Sequence, residues 1–195
     1  MLFIVSGPSG SGKSTLSKRV VRNIKRLSFG VSYTTRLPRR GEIDGIDYRL
    51  ITDREFDDLI NSNCLAEWAI VHGRRYGTPA ESIKEAQSSG MDLLLDIDAQ
   101  GARNLRKRYK DGTFIFVTPP SLEALRKRLL KRSSEGTSEI KKRIEGAKKQ
   151  TREMRLYDYI IINDSLNEAI KNLTSIILAE RCRRDRVVKN SKLEF

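Results

Sequence analysis

The apolar run Leu2-Phe3-Ile4-Val5 passes through Ser6 directly into Gly7-Pro8-Ser9-Gly10-Ser11-Gly12-Lys13-Ser14-Thr15. A short β-prone run bounded by turn residues is the pattern of a buried strand. Gly7 to Ser14 satisfies G-x-x-x-x-G-K-[ST], and behind it Leu16, Val20, Val21 and Ile24 fall near helical spacing. Strand, glycine loop and helix start in that order limit the chain to a narrow set of folds, those built on a parallel α/β sheet with a phosphate cradle at a strand end. Loop N–H groups and the positive end of the helix dipole draw the phosphate in. Lys13 reaches the β- and γ-phosphates, and the Ser14 hydroxyl is a magnesium ligand. The motif implies a nucleoside triphosphate. It leaves open whether the chain is an ATPase, a GTPase or a kinase.

The rest of the chain continues the alternation. Leu27 to Gly30 reads as a turn and Val31 to Arg36 as a strand. Leu37 to Tyr48 carries Pro38, Gly41 and Gly45 and is a loop. Its arginines and tyrosine either grip a phosphate or form a solvated basic surface, and the segment alone does not separate the two. Thr52-Asp53-Arg54-Glu55, Thr78-Pro79-Ala80-Glu81 and Ser165-Leu166-Asn167-Glu168 each have capping-box spacing and predict helix starts. Glu67 interrupts the apolar run from Cys64 to Val71, and a carboxylate buried there needs a partner. Met91 to Gly101 is a buried strand closing on Asp96 and Asp98; taken alone Asp98 could simply cap the next helix, but beside a phosphate loop the magnesium-side role for Asp96 or Asp98 is the preferred reading. Thr113 to Val117 and Tyr157 to Ile162 are further strands, and basic helices run from Ser121 and over 140–155. Residues 133–137 form a polar break, and residues 185–195 read as polar, basic and frayed. Near-continuous apolar strands between helices predict a parallel sheet covered on both faces, with ligands at the carboxyl ends of its strands.

Charge and cysteine content bear on partners and compartment. The net charge is +13, nearly all of it in residues 101–195, which suits polyanionic ligands. No stacking platform or nucleic-acid motif accompanies it. Leu2–Val5 is too short for a signal peptide, and no run approaches a membrane span. Cys64 and Cys182 form no metal or redox pattern and point to a reducing, cytoplasmic setting. His72 lies in a turn-like stretch and is assigned no role.

Taken together the motifs resemble one family, the guanylate kinases. The resemblance runs from Phe3 to about Arg183. It is carried by the loop Gly7 to Ser14, Val31 to Arg36, Pro38 to Glu42, Gly45 to Tyr48, Glu67-Trp68, Tyr76 to Thr78, Leu95 to Gly101, Pro119 to Ser121 and Ile161 to Asp164. It implies one domain in three parts: a P-loop core (1–31, 86–120 and 156–184), an inserted GMP-binding subdomain (32–85) and a helical lid (121–155), followed by the basic tail 185–195. By this resemblance Gly7, Pro8, Ser9, Gly10, Ser11, Gly12, Lys13, Ser14, Thr15 and Asn163 would bind ATP. Arg36, Arg39, Tyr48 and Tyr76 would hold the GMP phosphate, and Ser32, Glu67 and Thr78 the guanine, with Asp98 beside them. Ser14, Asp96 and Asp98 would lie on the Mg2+ side. Lys13, Arg36, Arg132 and Arg143 would serve the transfer itself. The resemblance further implies a cytoplasmic monomer or homodimer acting on ATP and GMP, with no membrane or specific nucleic-acid partner. Thr78 stands where many members have serine, Tyr33 where relatives often carry a smaller residue or histidine, and Gln150 where a lid glutamate is common.

The chemistry of the acceptor fits these residues. Guanine presents N1–H and a 2-amino group side by side, and an ionised carboxylate is a pure acceptor. Adenine would set a lone pair against it, a mismatch that in an enclosed site discriminates by ~10⁴–10⁵. The attacking group would be a phosphate oxygen, largely deprotonated at neutral pH because its second pKa is about 6, so no general base is required.

Overall fold

The computed structural model describes residues 1–39, 41–132 and 137–190, without the side chains of residues 132, 137–139, 189 and 190. In chain order the elements are β1 (Leu2–Ser6), α1 (Lys13–Asn23), β2 (Leu27–Gly30), β3 (Tyr33–Thr34), β4 (Arg49–Leu50), α2 (Asp53–Asn61), β5 (Leu65–Val71), β6 (Arg74–Pro79), α3 (Ala80–Ser88) and β7 (Asp92–Asp96). There follow α4 (Ala99–Arg108), β8 (Thr113–Thr118), α5 (Leu122–Arg132), α6 (Thr137–Thr151), a 3₁₀ turn (Met154–Leu156), β9 (Tyr159–Ile162), α7 (Leu166–Arg181) and α8 (Arg184–Asn190).

Five strands form one sheet in the order β2-β7-β1-β8-β9, and every pair in it is parallel. The period of two along β1 explains how it is covered. Phe3 and Val5 point to one face, where they join Leu94, Ile115 and Val117 under Leu16 and Val20 of α1 and Leu173 and Ile177 of α7. Leu2 and Ile4 point to the other, packed with Leu93, Leu95 and Phe114 under Ile83 of α3 and Leu105 of α4. Phe3, Ile4, Leu94 and Ile115 are fully buried. Each such side chain contributes roughly 1.5–3 kcal/mol by leaving water. β1 is the central strand, flanked by β7 and β8, so the loop that follows it opens where the strand order reverses.

A second sheet, in the order β4-β3-β6-β5, is inserted between β2 and β7. β5 and β6 are a hairpin closed by His72 and Gly73, both at positive φ (50° and 73°). That is the two-residue turn whose twist matches a right-handed strand pair, so the single histidine has a structural post. α5 and α6 pack on each other through Leu125, Leu129, Ile140 and Ala147, a small core of their own.

Four expectations from the sequence are corrected. Leu27–Gly30 is an edge strand, β2, paired in register with Asp92–Leu95. The predicted strand over 31–36 is reduced to Tyr33–Thr34. Only the capping box at Thr52 and Glu55 forms. Pro79 takes the cap position of α3, leaving Thr78 inside β6, and Ser165 caps α7 without a side-chain bond. Residues 184–190 of the tail are helical because Arg186 reaches back to Glu180 at 2.7 Å, a carboxylate only 3% exposed that also accepts from Thr113 and Tyr159. Residues 191–195, and 133–136 of the expected polar break, lie outside the described residues.

Candidate active site

The loop after β1 is closed by its own groups. Gly12 caps α1 at φ 92°, a left-handed conformation that disfavours a side chain, and a Cβ there would lie 2.4 Å from Asn163 Nδ2. That amide donates to Ser11 O at 2.7 Å, and Arg128 of α5 donates to Asn163 O at 2.7 Å, so the carboxyl end of β9 and the start of the α5–α6 pair are tied to the loop. Asn163 thus supports the loop from beneath, with its amide N–H already engaged. Lys13 Nζ folds back onto the carbonyls of Gly7 (2.7 Å) and Pro8 (3.3 Å). Gly7 and Pro8 are buried, Ser9 and Gly10 half-buried, and Thr15 exposed. Gly10 seats α5: a Cβ on it would meet the Leu125 and Leu129 methyls at 3.0 Å.

Ser14 Oγ donates to Asp96 Oδ2 at 2.5 Å, joining the first turn of α1 to the end of β7. Asp98, two residues on, accepts from the N–H groups of Gly101 (2.9 Å) and Gln100 (3.2 Å) and so caps α4. The two aspartates that the sequence left undivided therefore stand in different surroundings.

Across from the loop, Arg36 collects a set of partners. Its guanidinium donates to both oxygens of Glu42 (3.0 and 2.9 Å), to Tyr76 Oη (3.1 Å) and to Leu37 O (2.5 Å), and stacks 5.3 Å from the Tyr48 ring centroid. Tyr48 and Tyr76 meet edge to face at 5.9 Å. Arg39 lies alongside with its backbone N–H on Glu42 Oε2 at 2.7 Å. Burial works against ionisation of Glu42, but the Arg39 N–H and the Arg36 guanidinium outweigh it and hold the carboxyl below its usual range. Burial first, then the charges of Asp96 and Tyr76, push the Tyr48 phenol up, so it stays a donor. Glu42 is a partner of Arg36 that sequence reasoning passed over; it stood in the quoted motif, but a pairing through both carboxylate oxygens is not revealed by spacing. The partners Lys18 of α1 and Asp47 of the loop before β4 were missed for the same reason, and their ion pair links the inserted sheet to the core.

Glu67 is 7% exposed. A register shift between Leu65 and Glu67 puts two residues of β5 against one of β6, a bulge that turns Glu67 onto Thr78. Thr78 Oγ1 donates to Glu67 Oε1 at 2.6 Å. This bond, and not a helix cap, is the work of the Thr78 hydroxyl. Burial is the main cause that raises the Glu67 carboxyl to about 7; Thr78 opposes it and the charge of Asp98 adds to it. Ser32 is buried in the segment joining the two sheets. Arg143 is half-buried on α6, the side chain of Arg132 lies outside the described residues, and Gln150 Oε1 is buried with no hydrogen-bond partner among them.

The structure thus holds a glycine-rich phosphate-type loop, a cationic and phenolic cluster about Arg36, and a buried carboxylate at Glu67. Among the described residues no helix is long and apolar enough to cross a membrane. Residues 1–180 match the family model for guanylate kinase. A guanylate kinase of Geobacter metallireducens is 48% identical over 195 residues, covering all of this chain and 96% of that protein. One from Geobacter sulfurreducens is 48% identical over 188 residues, covering 96% and 93%. The crystal structure of guanylate kinase from Anaplasma phagocytophilum superposes with a TM-score of 0.80 at 28% identity, over all of this chain and 96% of that one. By matches of this extent the chain belongs to the guanylate kinase family, the kinases that transfer phosphoryl from ATP to GMP.

Proposed function

We propose that this chain carries out the family reaction, ATP and GMP to ADP and GDP, with its residues in the following roles. Residues 32–85 form the acceptor unit and 121–155 the lid over a core made of 1–31, 86–120 and 156–184, with 185–195 as a tail. Arg36, Arg39, Tyr48 and Tyr76 hold the GMP phosphate. Glu67 accepts from guanine N1–H and the 2-amino group, with Thr78 fixing its other oxygen, Ser32 beside the base and Asp98 behind it. Gly7 to Thr15 wrap the ATP phosphates, and Asn163 borders the adenine side. The observation that carries the reading is Glu67 itself: a buried carboxylate, bonded to Thr78 and standing beside Gly101 and Asp98, has no structural need for its charge.

Charge neutralisation is the main demand of phosphoryl transfer between two anions. Lys13 leaves the loop carbonyls for the β- and γ-phosphates, and Arg132 and Arg143 close over the transferring group. The GMP oxygen needs no base. Closure of the lid excludes water, which would otherwise accept the phosphoryl group. The Ser14 hydroxyl and the Asp96 carboxylate, in contact at 2.5 Å, are hard oxygen donors suited to Mg2+, with Asp98 more distant in role because it caps α4. When bound, magnesium supplies neutralisation of charge on the β- and γ-phosphate oxygens. Exposed, unbridged Cys64 and Cys182 suit the cytoplasm, and the reading requires no second subunit, so monomer and homodimer both accommodate it.

The test is ADP formation from ATP and magnesium with GMP, AMP, CMP, UMP and dTMP offered separately. Turnover with GMP alone supports the reading. Turnover with none, or equally with AMP, refutes it.

A further inference from the structure

Gly101 is buried at the third position of α4, between the carboxylate of Asp98, which caps that helix, and the carboxylate of Glu67 on β5. Its N–H donates to Asp98 Oδ1 at 2.9 Å. On its other side stands Glu67. A Cβ on Gly101 would lie 2.5 Å from Glu67 Oε2, 3.1 Å from Glu67 Cδ and 3.2 Å from Asp98 Oδ1. The first distance is shorter than real Cβ contacts, so a side chain here would displace the carboxylate.

Nothing in the local backbone asks for glycine. The residue is helical, is not among the positive-φ glycines, and alanine is the better helix former. What the missing side chain admits is Oε2 of Glu67. The other oxygen, Oε1, is anchored by Thr78 at 2.6 Å, so the side chain has little freedom to rotate away without breaking that bond. We infer that Gly101 is a specificity-determining position: it leaves the space in which Glu67 Oε2 stands, and so sets the pose in which one carboxylate meets both guanine donors. Gly101 is a positioning residue, acting through Glu67. The inference rests on the reading of Glu67 as the guanine acceptor.

The same glycine draws the two acidic groups together. Its N–H holds Asp98 Oδ1, and its bare Cα lets Glu67 approach from the second sheet. Adenine-type acceptors would meet two carboxylates and no donor. A guanine, with adjacent donors, relieves that repulsion.

The experiment compares Gly101→Ala and Glu67→Gln in the full chain, reading KM and kcat for ATP, GMP and inosine monophosphate, which lacks the 2-amino group. With one charge-assisted bond misplaced, Gly101→Ala should raise the GMP KM roughly tenfold to hundredfold and shrink the preference for GMP over inosine monophosphate. The ATP KM should stay within about twofold and the melting temperature should not fall. Glu67→Asp, shorter by one methylene, vacates the space, so its effect and that of Gly101→Ala should combine less than additively. An unchanged GMP KM in Gly101→Ala, while Glu67→Gln raises it, overturns the inference and spares the Glu67 reading. An unchanged GMP KM in Glu67→Gln removes both. Equal losses for ATP and GMP, or additive effects with Glu67→Asp, show a merely structural glycine and also overturn it.

Discussion

Replacing Glu67 by glutamine should stabilise the ligand-free protein, and only above a definite pH. The folded carboxyl sits at about 7, raised mainly by burial from an ordinary 4.5. Below 4.5 it is protonated in both folded and unfolded chains and costs nothing. Between 4.5 and 7 the unfolded chain gives up the proton and the folded one keeps it, so stability falls as pH rises. Above 7 the loss is complete. At about 1.4 kcal/mol per pH unit the gap amounts to about 3 kcal/mol, an upper figure for a group that shares its surroundings with Asp98. Glutamine has no charge to bury, and its amide oxygen still accepts from Thr78. In a chain of this size about 3 kcal/mol corresponds to roughly 6–12 °C in melting temperature. The assay is thermal unfolding of both proteins, without nucleotide, at pH 5 and pH 8. The variant should gain little at pH 5 and most of that difference at pH 8, while its GMP affinity falls. An equal gain at both pH values, or none at pH 8, would refute the account of Glu67 as a carboxylate held in an unfavourable place for the sake of its ligand.

Two further outcomes follow from the geometry. Lys13→Ala should nearly abolish turnover yet leave GMP binding by calorimetry close to that of the parent, because the Lys13 ammonium is bonded to the Gly7 and Pro8 carbonyls of the phosphate loop; comparable loss of GMP binding would contradict its assignment. Arg186→Ala should lower stability by about 1–3 kcal/mol in denaturant unfolding, since Glu180 is buried and loses its nearest cation, with kcat unaffected at low temperature; an unchanged midpoint would show that Thr113, Tyr159 and Arg183 suffice.

What was legible in the sequence was whatever depends on near neighbours. The Gly7–Ser14 spacing specifies a loop by itself, and the apolar runs at 2–5, 91–96 and 113–117 specify strands buried on both faces. Glu67 was legible as an anomaly, a charge where the pattern asked for an apolar residue. Leu27–Gly30 was not legible, because an edge strand with serine and glycine becomes one only through pairing with β7, more than sixty residues on. Thr78 was misread for a related reason: capping-box spacing is local, but Glu67 across the hairpin outbid the helix for its hydroxyl. The tail looked frayed because its anchor, Glu180, is hidden by the fold. Gly101 sat inside a motif quoted for its aspartates, and a glycine in a first helical turn carries no mark of what stands opposite it.

The grip of Glu42 on Arg36 has a consequence for what the pocket will accept. A cluster of bare cations would be occupied by any small anion in the cell. Here Arg36 already has an anion of its own, attached to the same chain and therefore always present at high local concentration. Glu42 acts as a resident competitor, and a visitor must either displace it or share its partner. Because its proton affinity is held low, it remains an anion throughout the exchange. A free phosphate has only its own charge with which to compete. On the proposed assignment a phosphate carried by guanosine would arrive with the base contacts as well, so recognition at Glu67 would help decide which anion Arg36 holds.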